Sequence, residues 1–128
     1  MAHNVHSDYI TKNSPRSVTE TVERLSTMMA ERNLIIFATI DQAAAARSVG
    51  QELRETVLII FGNPKAGTPV MNAEPLAGLD LPLKVLVWDD RGVTRVSYLS
   101  PAALAERYSL SESLAAPLAG IEQLTDLA

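Results

Sequence analysis

The residues best placed to do chemistry follow an apolar run of strand length, where the chain breaks into a short loop rich in glycine and proline. Asn63 followed by Pro64 is a favourable helix start, and the positive end of a helix attracts anions. The ammonium of Lys65, the backbone at Gly67 and the hydroxyl of Thr68 would strengthen that attraction. We therefore predict that this loop binds a small anionic molecule.

The loop is not a P-loop. That motif needs four residues between its glycines and a Lys directly after the second, whereas Lys65 here precedes Gly67. The alternative is a strand-to-helix turn that needs these residues for backbone reasons alone. Both Pro64 and Pro69 could open the helix, and we expect a short turn followed by a second start.

Asp41 completes the predicted site. It ends one apolar run and precedes a helix, so its first role is as a helix cap, and it lies near the Asn63 loop if the two strands are neighbours. We predict no catalytic residue, because Asp89 and Asp90, as neighbours in a strand, point to opposite faces. A weaker hypothesis is an enzyme that uses Asp41 or Lys65 as acid or base.

Composition excludes several classes of protein. The net charge is −4 and the pI about 5.1, which argues against nucleic-acid binding. No cysteine occurs, so disulfides, thiolate metal sites and cysteine nucleophiles are excluded. His3 and His6 lie in a terminal stretch, residues 1–7, that we expect to be a loose tail. We expect no metal and no cofactor, and, without a signal segment or a long apolar run, a cytoplasmic protein that does not contact membranes.

Hydrophobic periodicity predicts alternating strands and helices. Strands are expected at residues 8–12, 34–40, 56–62, 83–89 and 93–99, the last two forming a hairpin. The 34–40 segment is apolar at nearly every position, which is typical of a central strand covered on both faces. We predict an α+β fold, a two-layer sandwich with a mixed sheet of about five strands and helices mainly on one face.

Helix signals are equally clear. Ser17 with Glu20 forms a capping-box pattern, and Asn33 suits the exit of that helix. A last helix is predicted over residues 112–127, kinked or started by Pro117. Between the third helix and the hairpin, residues 74–82 form a loop that the side chains of Leu76, Leu79 and Leu81 should pin to the core.

Two long motifs resemble the domain of unknown function 302 family. They run over residues 61–71 and 77–88, and the match continues at residues 97–101, leading to Arg107 and Tyr108. The resemblance implies a compact two-layer α+β domain that pairs as a dimer and has no established activity. Many members carry a His at the position of Gln42, which weakens any catalytic interpretation here. The resemblance covers residues 8–108 and leaves the last helix outside.

We therefore expect a single domain over residues 1–128, with residues 109–128 as a helical extension. The first hypothesis is a homodimeric domain that binds a small anionic molecule at Asn63, Lys65, Gly67, Thr68 and Asp41. The alternative is a protein-interaction or dimerisation module without a ligand. The Ala-rich helix that follows Asp41 has a smooth surface suited to close contact with a sheet or a partner.

Overall fold

The computed structural model describes residues 5–128. It contains five strands and six α-helices. The strands are β1 Tyr9–Ser14, β2 Ile35–Asp41, β3 Thr56–Gly62, β4 Leu83–Asp90 and β5 Val93–Leu99. The helices are α1 Val18–Glu31, α2 Gln42–Ser48, α3 Pro64–Ala73, α4 Pro101–Arg107, α5 Glu112–Ala115 and α6 Gly120–Asp126. Within these residues, no helix combines the length and the apolar character that a bilayer-spanning segment needs.

The five strands form one sheet in the order β1-β5-β4-β3-β2, and every neighbouring pair is antiparallel. The α+β class and the five strands are confirmed, but the sheet is not mixed. A helix between two strands suggested a parallel crossover. Instead α2 and the residues after it return the chain beside β2 in the opposite direction, so that β3 pairs antiparallel with it.

The main core lies between one face of the sheet and the helices α1 and α6. Ser17 caps α1, since its hydroxyl accepts a hydrogen bond from the Glu20 amide at 3.1 Å, and Asn33 has the positive φ of 57° expected at the helix exit. The buried residues of this core are Val18, Leu25, Met28, Met29, Ile59, Phe61, Val85, Val87, Val96, Tyr98, Ile121, Leu124 and Ala128.

A second, smaller hydrophobic cluster lies beside the first. Its buried members are Val70, Ala77, Leu81, Leu104 and Leu118. Of the three leucines expected to pin the 74–82 loop, only Leu81 is buried, and Leu76 and Leu79 are 70% and 78% exposed. The reason is local: residues 75–79 form a 3-10 turn that presents only Ala77 to the interior.

Strand β2 is an edge strand, which corrects the prediction of a covered central strand. Ile35, Phe37 and Ile40 are exposed by 45%, 51% and 36%. A register shift between Ile36 and Ala38 interrupts the pairing with β3. Continuous apolar character does not distinguish a strand covered on both faces from an apolar strand at the edge of the sheet.

Two helices differ from expectation. Helix α3 runs without interruption from Pro64 to Ala73 with Pro69 inside it, instead of starting twice. The helix expected over residues 112–127 is divided into α5, a 3-10 turn at residues 116–118 that contains Pro117, and α6. A proline lacks the amide that would continue the helical ladder.

The tail expected over residues 1–7 falls partly on residues 1–4, including His3, which lie outside the residues that the structure describes. Residues 5–8 form a 3-10 turn that leads directly into β1.

Candidate functional site

A cavity of about 460 Å³ opens between the two hydrophobic clusters. Phe61, Ile121 and Leu124 reach it from the main core, and Leu81 and Leu118 reach it from the second cluster. The other lining residues are Arg32, Leu34, Phe37, Gly62, Asn63, Pro64, Ala66, Gly67, Thr68, Met71, Pro82, Leu83, Pro117, Gly120 and Gln123. The interior is therefore mainly apolar.

The polar side chains of the cavity belong to exposed residues, so they lie towards its rim. These residues are Arg32, Asn63, Thr68 and Gln123. Among the lining residues, all within the described part of the chain, Arg32 carries the single formal charge and no carboxylate is present. The site thus combines an apolar interior with a polar, positively charged opening.

The start of α3 was expected to offer free amides to an anion, and the structure shows these amides already engaged. Pro64 has no amide hydrogen. The Lys65 amide donates to the side-chain oxygen of Asn63 at 3.0 Å, and the amides of Ala66 and Gly67 donate to the Asn63 carbonyl at 2.9 and 3.0 Å. Asn63 therefore acts as the predicted cap, and its capping satisfies the donors that the anion would have used.

The structure brings together three of the five predicted site residues. Asn63, Gly67 and Thr68 line the cavity. Lys65 is exposed and does not line it, because successive helical residues point in different directions and residue 65 faces outwards.

Asp41 lies away from the cavity. Strands β2 and β3 are neighbours, as the prediction required, but they are antiparallel, with Asp41 opposite Val57 and Ile35 opposite Gly62. Gly62 is five residue steps along an extended chain from Val57, which corresponds to about 17 Å. Asp41 serves as the cap of α2, accepting a hydrogen bond from the Ala44 amide at 2.9 Å.

Several lining residues were not predicted from the sequence. Arg32 follows the end of α1, Phe37 lies at the irregular part of β2, and Gln123 is in α6. Each comes from a segment distant in sequence from the Asn63 loop, and no local motif links them. The pairing of β2 with β3 brings Arg32 and Phe37 towards the Asn63 loop, and the packing of α6 against the sheet adds Gln123.

A polar cluster formed by Asp80, Arg107 and Tyr108 links the 74–82 loop to the end of α4. The Tyr108 hydroxyl donates a short hydrogen bond to Asp80, and Arg107 donates another at 3.0 Å. Partial burial alone would raise the pKa of Asp80, but the Tyr108 hydroxyl and the Arg107 guanidinium outweigh it and lower the pKa below its ordinary value. The hydrogen bond to Asp80 also raises the pKa of Tyr108. Within residues 5–128, no group of three or more histidine or carboxylate side chains is arranged to hold a metal ion.

Comparisons with known proteins identify similar sequences in Brucella. A protein named fluoride-specific ion channel FluC 1 from Brucella suis biovar 1 (strain 1330) is 40% identical over 114 residues, which are 88% of this chain and 45% of that protein. The protein of the same name from Brucella abortus biovar 1 (strain 9-941) is also 40% identical over 114 residues, 88% of this chain and 42% of that protein. This chain therefore spans less than half the length of these relatives.

A solved structure shares the fold. The crystal structure of an uncharacterized conserved protein DUF302 from Bacillus stearothermophilus superposes with a TM-score of 0.78 at 22% identity, and the match covers 91% of each chain. At this identity the likeness establishes the fold alone.

The family comparison extends over nearly the whole chain. The family sequence model described as domain of unknown function DUF302 matches residues 10–127. It includes the segment after Tyr108, so the expectation that this segment lies outside the family is wrong. With a match of this extent, the chain belongs to the DUF302 family.

Proposed function

We propose that this protein binds a small, mainly apolar molecule in the cavity between its two hydrophobic clusters. The observation that carries the proposal is the cavity itself, since its 460 Å³ lies within the range of roughly 300–1,000 Å³ found for small-molecule sites. An apolar interior with a few polar groups at the opening is the usual composition of such sites.

The chemistry of the lining favours a mainly apolar ligand over the small anionic molecule first expected at the loop from Asn63 to Thr68. Buried side chains such as Phe61, Leu118 and Leu124 offer contact surface and no hydrogen-bond donors. Protein interiors are normally close-packed, and a gap of this size forfeits dispersion contacts along its walls. A ligand that filled it would restore those contacts and bury apolar surface from both clusters.

Binding of the neutral dye N-phenyl-1-naphthylamine tests this proposal. Gly67 lines the cavity. A β-carbon at this position would lie 3.8 Å from Met71 Cε and 3.9 Å from Leu81 Cδ1, which are ordinary contact distances. A leucine side chain there can therefore be accommodated and would extend into the cavity. Native protein should bind the dye saturably with increased fluorescence, and Gly67→Leu should weaken binding by about tenfold or more.

The control for this experiment is Ala45→Leu, which makes a comparable change on the exposed side of α2. It should leave dye binding unchanged. The proposal fails if native protein does not bind the dye, or if Gly67→Leu binds it as well as Ala45→Leu does.

A second candidate function is self-association through the face of the sheet opposite the main core, and a specific row of side chains favours it. Ile40 lies opposite Leu58, and Leu58 lies opposite Leu86, across three strands. Their neighbours Ile59 and Val85 are buried in the main core, so this row points to the other face. We propose that a second copy of the chain covers it, because a two-fold axis that runs along this row, across the strands and parallel to the sheet, would place the apolar row against itself.

Sedimentation of the native protein and two variants tests the dimer. Native protein should have twice the 13.8 kDa mass of one chain. Leu86→Lys places a charge on the central strand, on the face opposite the main core, and should give single chains. Leu79→Lys changes a leucine that is 78% exposed on the 75–79 turn and should remain dimeric. A native protein that sediments as a single chain at all concentrations refutes this candidate.

A further inference from the structure

We infer that the ligand of the cavity is a single-chain amphiphile with an anionic head group, and that Arg32 binds the head. The inference rests on the proposed function and specifies the class of ligand. It combines the distribution of charge around the cavity, the position of Arg32 at its opening, and the apolar interior behind it.

The charge around the cavity has one sign. Arg32 carries a positive charge, and the lining residues, all of them described, include no Asp or Glu to pair with it. A guanidinium next to an apolar interior favours a ligand that brings its own negative charge. A cationic ligand would meet only repulsion there.

Arg32 is held in place but keeps donors for a ligand. It is the residue just after α1, and its Nη1 donates a hydrogen bond of 3.3 Å to the carbonyl of Met28. A guanidinium has five N–H donors, so several remain to bind a carboxylate in the forked geometry that arginine favours. The contact with Met28 orients the side chain without satisfying it.

The second positive feature of the opening is the start of α3. Asn63 and Pro64 line the cavity there, and the partial positive charge of the helix end acts on the same region. Because the first amides of α3 are already engaged with Asn63, this helix contributes through its field and not through direct hydrogen bonds to the ligand. Arg32 is therefore the residue that contacts the head group.

The exposure of the lining residues indicates where each end of the ligand would lie. Arg32 is exposed, while Phe61, Leu118 and Leu124 on the walls are buried. A charged head can then remain partly hydrated at the opening while its apolar chain enters the cavity. Such an arrangement avoids the high cost of burying an ionised carboxylate in an apolar interior.

Displacement of N-phenyl-1-naphthylamine by octanoate and by octanol, near pH 7 and below micelle-forming concentrations, tests the head group separately from the tail. On native protein octanoate should displace the dye at a concentration about tenfold lower than octanol. Arg32→Gln should weaken octanoate by about tenfold and leave octanol within about twofold of its native value. Arg47→Gln, which removes the same charge from the exposed last turn of α2, should change neither.

The outcomes separate the two claims. If octanol displaces the dye and octanoate is no better, or if Arg32→Gln and Arg47→Gln weaken octanoate equally, the anionic head is refuted while the apolar site stands. If neither compound nor the dye binds to native protein, the proposed function itself is refuted. Octanoate binding that depends on Arg32 and is blocked in Gly67→Leu supports both.

Discussion

The pair Asn63 and Pro64 illustrates how a helix start can resemble an anion site. The residue types that end a strand, cap a helix and open its first turn are the same ones that present amides to a phosphate or carboxylate. Here the side chain and carbonyl of Asn63 accept the early amides of α3. The sequence predicted the cap correctly, but it could not show whether those amides remain free for a ligand.

The roles of other residues depend on where their side chains point in the folded protein, and short sequence patterns did not predict them. Lys65 and Thr68 are three residues apart on α3, yet only Thr68 lines the cavity. Arg32 has no sequence signature, because its importance comes from the meeting of α1 with α3 and the C-terminal segment. A single sequence shows which residues can do chemistry, whereas their convergence depends on tertiary packing.

Substitution of Asp80 should reveal the link between the 74–82 loop and α4. Asp80 accepts hydrogen bonds from Arg107 and Tyr108, and its pKa is lowered in the folded protein. A carboxyl with a lowered pKa stabilises the fold above its unfolded-state pKa, and this contribution is lost as the pH falls through the folded-state value. Asp80→Asn should therefore lower the free energy of unfolding by about 1 kcal/mol near pH 7.

Urea denaturation of native protein and Asp80→Asn, near pH 7 and again near pH 3, measures this effect. The difference between the two proteins should shrink at the lower pH, because Asp80 is then protonated in the unfolded chain and the stability that its lowered folded-state pKa provides is progressively lost. A difference that is the same at both pH values would show that the charge of Asp80 does not contribute to stability.

Individual elements were predictable where local chemistry decides them. The cap at Ser17, the exit of α1 at Asn33, and the hairpin of β4 and β5 follow from short-range patterns, and the structure confirms them. The edge position of β2 was not predictable, because an apolar strand at an edge and one at the centre have the same composition. The antiparallel direction of β2 and β3 likewise depends on the path of the chain after α2, which no residue pattern specifies.

The contribution of a single helix cap to stability can be tested at the start of α1. The Ser17 hydroxyl accepts from the Glu20 amide at 3.1 Å and lies 3.2 Å from the Glu20 carboxylate, to which it donates. Ser17→Ala leaves that amide without its acceptor and should reduce the free energy of unfolding by about 1 kcal/mol. Thr19→Ala, on the exposed side of the same helix, should not reduce it. Equal losses in the two variants, measured by chemical denaturation, would contradict the capping role.

At the scale of the whole molecule, the C-terminal segment is part of the main core and not an appended helix. The Lys12 ammonium of β1 binds the Glu122 carbonyl at 2.8 Å and the Asp126 carboxylate at 2.7 Å. Arg24 of α1 donates to the Leu127 carbonyl at 2.6 Å. The segment was expected to be an extension because the family resemblance was taken to end at Tyr108. The break in the helical pattern at Pro117 lets α6 turn onto the sheet and form one wall of the cavity.

Because the C-terminal segment packs into the main core, truncation of two of its leucines, three residues apart, should lower the free energy of unfolding by different amounts. Leu124 is 1% exposed within the main core, whereas Leu127 is 48% exposed. Leu124→Ala should lower the free energy of unfolding by about 2–5 kcal/mol, because it removes buried surface and leaves a cavity. Leu127→Ala makes the same chemical change near the end of α6, retains the carbonyl that Arg24 binds, and should cost less than about 0.5 kcal/mol. Urea denaturation of both variants measures the contrast. Similar small losses would mean that the segment packs loosely on a core complete without it, and since Leu124 also lines the cavity, the binding site would then lack one of its walls.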